Sequence, residues 1–164
     1  MSEHRARVVW NRGTEPFEYE TFSRDHSWQF GGGIEVMASS APDYFGNPAH
    51  TNPEEALVAA VSGCHMLTFL AIAAKKRLVV DSYADEPVGT LEKNAEGKVS
   101  ITRVVLQPRV TFGGDHTPTP EECRRIHEKA HAHCFIANSV NFPVGMESDC
   151  LSCSDLAAPE SVGA

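Results

Sequence analysis

The chain has 164 residues, enough for one domain to bury a core without cross-links. Its 41% hydrophobic and 22% charged residues are those of a globular protein, and a net charge of -8 without a long basic stripe excludes nucleic acid and anionic membranes as expected partners. Five cysteines, an odd number without a small-scaffold spacing, and the lack of an apolar segment after Met1–Arg5 lead us to expect reduced thiols and a cytoplasmic location.

Strand character comes first. Residues 7–10, 17–22 and 27–30 alternate roughly at period two, and Gly31-Gly32-Gly33 turns the chain into another expected strand at 34–37. Residues 39–51, with Pro42, Gly46 and Pro48, read as an irregular loop. The first helical region, 51–78, is well punctuated. Asn52 suits the N-cap, Pro53 the first helical position, and Glu54 and Glu55 the positive end of the helix dipole. The stretch Leu57–Ala74 just reaches transmembrane length, but Ser62, Gly63, His65 and Thr68 interrupt it, so it reads as a buried core helix. Lys75-Lys76-Arg77 falls where cations complement a helix C-terminus.

Strand patterns return at 88–92 and 99–112, with a hairpin-like turn at 94–97. Thr119-Pro120-Glu121-Glu122 is a capping box that opens a second helix to about His133, within a second region spanning 119–140. A last strand is expected at 142–147, followed by a frayed tail from Ser154. The class is α+β, in one domain covering 1–164, with no internal repeat.

Chemistry is suggested by two cysteines in helical patterns. Cys64 lies in Asn52-Pro53-Glu54-Glu55-Ala56-Leu57-Val58-Ala59-Ala60-Val61-Ser62-Gly63-Cys64-His65-Met66-Leu67. Cys134 lies in His131-Ala132-His133-Cys134-Phe135-Ile136-Ala137-Asn138-Ser139-Val140. A thiolate, not a thiol, attacks a peroxide or a disulfide, and it needs a helix N-terminus or a cation to form near neutral pH. A break at Ser62-Gly63 would put Cys64 in a first helical turn. In one unbroken helix, Glu54 and Cys64 would lie about 15 Å apart along the axis and roughly 80° apart around it. Their cooperation therefore requires that break or a contact across a subunit interface. Each of these residues also has a plain reading, Glu54 as a helix-start acid and both cysteines as small core residues.

The first of these strings, followed much later by Cys134-Phe135-Ile136-Ala137-Asn138-Ser139-Val140, resembles the OsmC/organic hydroperoxide resistance family, whose order of strands and helices agrees across nearly the whole chain. The resemblance implies an intertwined homodimer of OsmC-like fold, with antiparallel sheets wrapped around long central helices. It implies a thiol peroxidase acting on organic hydroperoxides in oxidative stress defence, without a cofactor and with an external dithiol as reductant. Cys64 would be the peroxidatic cysteine, Cys134 the resolving cysteine, and Glu54 the carboxylate that orients an arginine. Arg24 is the best match for that arginine and Arg12 the runner-up. The chain departs from the better-known branches where His65 follows Cys64 and Phe135 follows Cys134.

Other readings compete. Cys123, His127, His131 and Cys134 share one helical face at spacings of four, four and three. A single straight helix cannot wrap all four around one metal, because its end members lie about 16 Å apart along the axis. Cys150-x-x-Cys153 supplies half a zinc shell, and no helix pattern follows it, so adventitious tail thiols are expected. A non-catalytic dimer holding an apolar ligand is the third class. His65 is a poor base for Cys64, since helix neighbours point about 100° apart.

Overall fold

The computed structural model describes residues 1–152; Cys153 and the expected tail from Ser154 lie outside the described residues. The chain divides into two compact units, Met1–Leu57 and the remainder from Val58.

In the first unit, β1 (Ala6–Val9), β2 (His26–Phe30) and β3 (Glu35–Ala38) form an antiparallel sheet in that order, with Trp28 facing Val8 on one side and Val36 on the other. The strand expected at 17–22 is instead a turn, closed by the amides of Thr21 and Phe22 on the Glu18 carbonyl at 3.1 and 2.9 Å. Its aromatic residues are spent locally rather than on a sheet face. Phe17 and Phe22 pack on Trp10 with ring centroids 5.8 and 6.4 Å away, and 5.2 Å from each other. In the loop expected at 39–51, Gly46 is required by crowding, because a Cβ there would come within 1.6 Å of the Ser40 carbonyl oxygen.

Helix α1 (Pro53–Lys75) opens as expected, the Asn52 side chain accepting from the Glu55 amide at 2.8 Å and the Glu55 carboxylate accepting from the Asn52 amide at 3.1 Å. It runs on for 23 residues without the break anticipated at Ser62-Gly63, because an internal glycine costs a helix only about 1 kcal/mol and the surrounding apolar residues have tertiary partners. By length and composition α1 could cross a membrane. Only part of it behaves as the expected core helix. Val61, His65, Phe69 and Ala73, four residues apart, are buried, whereas Ala60, Leu67, Ala71 and Ala74 on the opposite side are exposed.

The second unit surrounds the buried stripe. A strand not anticipated from the sequence, β4 (Val79–Ala84), is followed by β5 (Val88–Lys93) and β6 (Val99–Leu106), paired antiparallel across the turn at Asn94–Gly97. The single strand expected at 99–112 is two, because Pro108 cannot donate to a ladder; β7 (Arg109–Gly113) starts anew and pairs with β4. The corner is pinned by Asp85, which accepts from the Gln107 amide at 2.7 Å and from the Ser62 hydroxyl at 2.5 Å. Helix α2 (Pro120–His133) carries the full capping box of Thr119 and Glu122.

The last strands are β8 (Val144–Met146), parallel to β6, and β9 (Asp149–Ser152), parallel to β7. Both sheets of this unit, β4-β7-β9 and β5-β6-β8, are therefore mixed rather than purely antiparallel. Phe69 and Ala73 of α1 pack with Val110 and Phe112 of β7 and Cys123, Ile126 and Ala130 of α2. Val61 packs with Val104 and Leu106 of β6, flanked by Ile136, Phe142 and Val144. These two clusters fix α1 against α2 and both sheets, and so fix what α1 carries.

Candidate active site

Cys64 is the twelfth residue of α1, in mid-helix, so the dipole at the N-terminus does not act on it. It is half-buried and lies on the edge of the exposed stripe of α1. Cys134 is not inside a helix, as its surroundings in the sequence suggest, but is the C-cap of α2 with extended backbone angles. The chain turns there because Cys134 leaves the helical region, and the Asn138 side chain donates to the Ala132 carbonyl at 3.2 Å, satisfying one of the free carbonyls of the helix end.

The turn brings Cys134 under α1. Its sulfur is fully buried and points at the Val61 carbonyl, 3.9 Å away. Burial pushes the Cys134 thiol pKa up, and the adjoining Cys64 side chain adds to the rise. Two successive backbone amides face the two sulfurs, Ile136 donating to Cys64 at 3.5 Å and Ala137 to Cys134 at 3.4 Å. Sequence reasoning missed these donors because they belong to the main chain of a turn, which no side-chain pattern marks. The result is a reachable sulfur beside a buried, protonated one, both within range of the same short turn.

The other expected site residues are placed as follows. Glu54 is half-buried in the first turn of α1 and, with no break in the helix, stays about 15 Å from Cys64 along the axis; of the two routes to cooperation only a subunit contact is left. Arg24 belongs to the first unit. Its guanidinium donates to the carbonyls of Phe22 and Tyr19 and lies over the Phe22 ring, 3.8 Å from the centroid. An apolar cleft of about 400 Å³ opens around it, lined by Trp10, Phe17, Phe22 and Pro53 among others. Arg12 is exposed in the loop after β1.

The helical face of Cys123, His127, His131 and Cys134 does not act together. His131 is exposed, Cys134 goes to Cys64, and Cys123 forms a disulfide with Cys150 of β9, with Cα atoms 6.5 Å apart. Five reduced thiols were expected, and this pair corrects that expectation. Cys150 is also no tail thiol, since β9 holds it against the core beside α2. His65, an unsuitable base for Cys64 on angular grounds, points elsewhere, its Nε2 lying 3.1 Å from His127 Nδ1 with the rings stacked.

The model of the OsmC-like protein family matches residues 46–148, more than half the chain. A solved OsmC-like protein of unknown function from Vibrio cholerae is 48% identical, with a TM-score of 0.88 over 91% of this chain and 100% of that one. Fold alone is shared with more distant structures. An organic hydroperoxide resistance protein OsmC from Legionella pneumophila is 14% identical, with a TM-score of 0.63 over 92% of this chain and 97% of that one. The organic hydroperoxide resistance protein OhrB of Bacillus subtilis is 17% identical, with a TM-score of 0.59 over 88% and 98% of the two chains. No curated protein matches the sequence.

Proposed function

The chain belongs to the OsmC-like family, and from that premise we propose that it is a thiol-dependent peroxidase reducing organic hydroperoxides in oxidative stress defence. The observation that carries the reading is the pairing of Cys64 with Cys134, one half-exposed and the other buried, against the amides of Ile136 and Ala137. The half-exposed sulfur is the one a peroxide can reach. The Cys64 thiolate attacks one peroxide oxygen, the O–O bond breaks, and the leaving alkoxide takes a proton to become the alcohol. Cys64 is left as a sulfenic acid. The Cys134 sulfur then attacks the Cys64 sulfur; the S–O bond breaks, water leaves with the Cys134 proton, and a Cys64–Cys134 disulfide forms. An external dithiol in the cytoplasm returns both to thiols by exchange.

Arg24 polarising the peroxide and Glu54 orienting that arginine rest on the family resemblance alone. Homodimerisation has support of its own. Ala60, Cys64, Leu67, Ala71 and Ala74 recur at spacings of four, three, four and three, the pattern of a helix seam, and all but the half-buried Cys64 are exposed, Leu67 at 65%. A second copy packed along this seam would cover the apolar side of α1 and set Cys64 at the subunit interface.

The test is consumption of cumene hydroperoxide with dithiothreitol as reductant. Turnover is expected for the wild type and none for Cys64→Ser. Cys134→Ser is expected to complete the first reduction and then accumulate over-oxidised Cys64, visible by mass spectrometry. Wild-type turnover that survives Cys64→Ser, or no turnover at all, overturns the reading and returns weight to a ligand-binding dimer.

A further inference from the structure

The peroxidase reading leaves a second sulfur pair unused. Cys123 and His127 stand one turn apart on α2, and Cys150 approaches them from β9. The two sulfurs and a ring nitrogen of His127 all lie within 4.8 Å of one another. Cys123 and His127 are fully buried. His127 Nδ1 is engaged by His65, while its Nε2 is buried without a hydrogen-bond partner. Such an orphan is costly to bury unless something else binds it.

We propose that, when the Cys123–Cys150 disulfide is reduced, these three residues bind one borderline-soft divalent cation of the zinc type. Four lines of chemistry favour such a cation over an empty dithiol. The donor set of two sulfurs and one imidazole is one that zinc selects, and hard cations such as magnesium avoid it. The donors lie close enough, all within 4.8 Å, for tetrahedral bonds of about 2.3 Å to sulfur and about 2.0 Å to nitrogen. The donor–donor edges of such a site are roughly 3.5–3.8 Å, which the two sulfurs reach by moving apart once their disulfide is reduced. The charge closes, because two thiolates, a neutral imidazole and a divalent ion sum to zero, and only a neutral assembly is inexpensive to bury. The imidazole is also oriented. When His127 Nδ1–H donates to His65 Nε2, 3.1 Å away, Nε2 of His127 is left as a bare lone pair, and metal-bound histidines are commonly held this way by a second group. His65 is thus a positioning residue. Three protein donors leave a fourth coordination position, which water fills in open zinc sites.

The disulfide and the metal site use the same two sulfurs and exclude each other. The ion is therefore a ligand of the reduced chain only, and its release accompanies the oxidation of two thiolates to a disulfide, two electrons passing to an oxidant such as a hydroperoxide. This site is separate from Cys64 and Cys134, and its test is independent of peroxidase activity.

The experiment compares the reduced and oxidised wild-type protein, each incubated with zinc chloride, dialysed and analysed for metal by atomic emission. About one zinc ion per chain is expected in the reduced form and almost none in the oxidised form. The cobalt(II) derivative should show thiolate charge-transfer absorption only when reduced. In a Cys64→Ser/Cys134→Ser background, zinc should remain. Adding Cys150→Ser should abolish it at unchanged far-UV circular dichroism, and His65→Ala should weaken it about 10–100-fold. Absence of zinc from the reduced wild type, or zinc retained when Cys150 is replaced, overturns the proposal. The redox comparison needs no substitution, so a variant that fails to fold does not rescue it.

Discussion

Acid should unfold the second unit in a pH range where few other groups act. His65 and His127 are 1% and 0% exposed, and burial pushes the pKa of each down to about 4. For His65 the neighbouring charge of His131 adds to the fall and Asp85 opposes it; for His127 its partner His65 adds to it. The ordinary histidine value is 6.5, so between pH 6.5 and 4 the unfolded chain binds protons that the folded chain refuses. Stability is therefore full above pH 6.5, falls as the pH falls through this window, and levels below about 4. One such histidine gives a slope of about 1.4 kcal/mol per pH unit. From pH 6.5 to 5.0 that is about 2 kcal/mol for one and about 4 kcal/mol if both stay neutral, a large part of a typical domain's 5–15 kcal/mol. The carboxylates with shifted titration, Asp25, Glu35, Glu121 and Glu122, are all shifted downward from ordinary values of 3.8 and 4.5, so their contribution is lost mainly below pH 5.0, outside the interval from 6.5 to 5.0. The assay is urea unfolding of the oxidised, metal-free protein followed by circular dichroism of α1 and α2. Tryptophan fluorescence would not serve, since Trp10 and Trp28 are both in the first unit. A loss of about 4 kcal/mol corresponds to a midpoint shift of about 2 M urea for a slope near 2 kcal/mol/M. His65→Phe/His127→Phe should flatten the dependence. Unchanged or rising stability from pH 6.5 to 5.0, or the same slope in the double variant, would refute the reasoning.

Two further substitutions probe other parts of the molecule. Leu67→Glu puts a charge in the exposed apolar seam and should leave the circular dichroism unchanged while halving the mass measured by light scattering; a dimer that persists sinks the seam. Thr119→Ala removes the side chain that accepts from the Glu122 amide at 3.2 Å and should cost about 1 kcal/mol of unfolding free energy, with no change in the peroxidase rate.

How far the sequence could be read depended on where each signal was stored. The helix starts were legible because capping is local chemistry, and Asn52 with Glu55 and Thr119 with Glu122 declare it within four residues. The hairpin at Asn94–Gly97 was legible for the same reason. Strand β4 was hidden because Val-Val-Asp-Ser-Tyr-Ala lacks a clean alternation, and β9 because a four-residue strand is defined by its parallel partner β7. The false strand at 17–22 shows the reverse error, an alternation used for a local aromatic cluster. At the candidate site, both cysteines could be picked out by helical context. Which cysteine meets which depends on where α2 ends, and that turn is set by backbone geometry rather than by residue type. The pairing of Cys123 with Cys150 was illegible for that reason, since the second partner arrives on β9 from outside the helical face that suggested a cluster.

The order of elements along the chain has a consequence for synthesis. Among the described residues, the partners of the buried stripe of α1 in its two core clusters, on β6, β7 and α2, are C-terminal to it. Forty-three residues separate Phe69 from its partner Phe112, several seconds of translation at roughly 5–20 residues per second. For that interval the nascent chain displays an apolar helix of 23 residues with neither sheet in place. The parallel strands β8 and β9 extend the wait, since each sheet is completed only by a segment near residue 150. Folding of this unit is therefore a late event with respect to the ribosome, and until then α1 is an exposed apolar surface rather than a core.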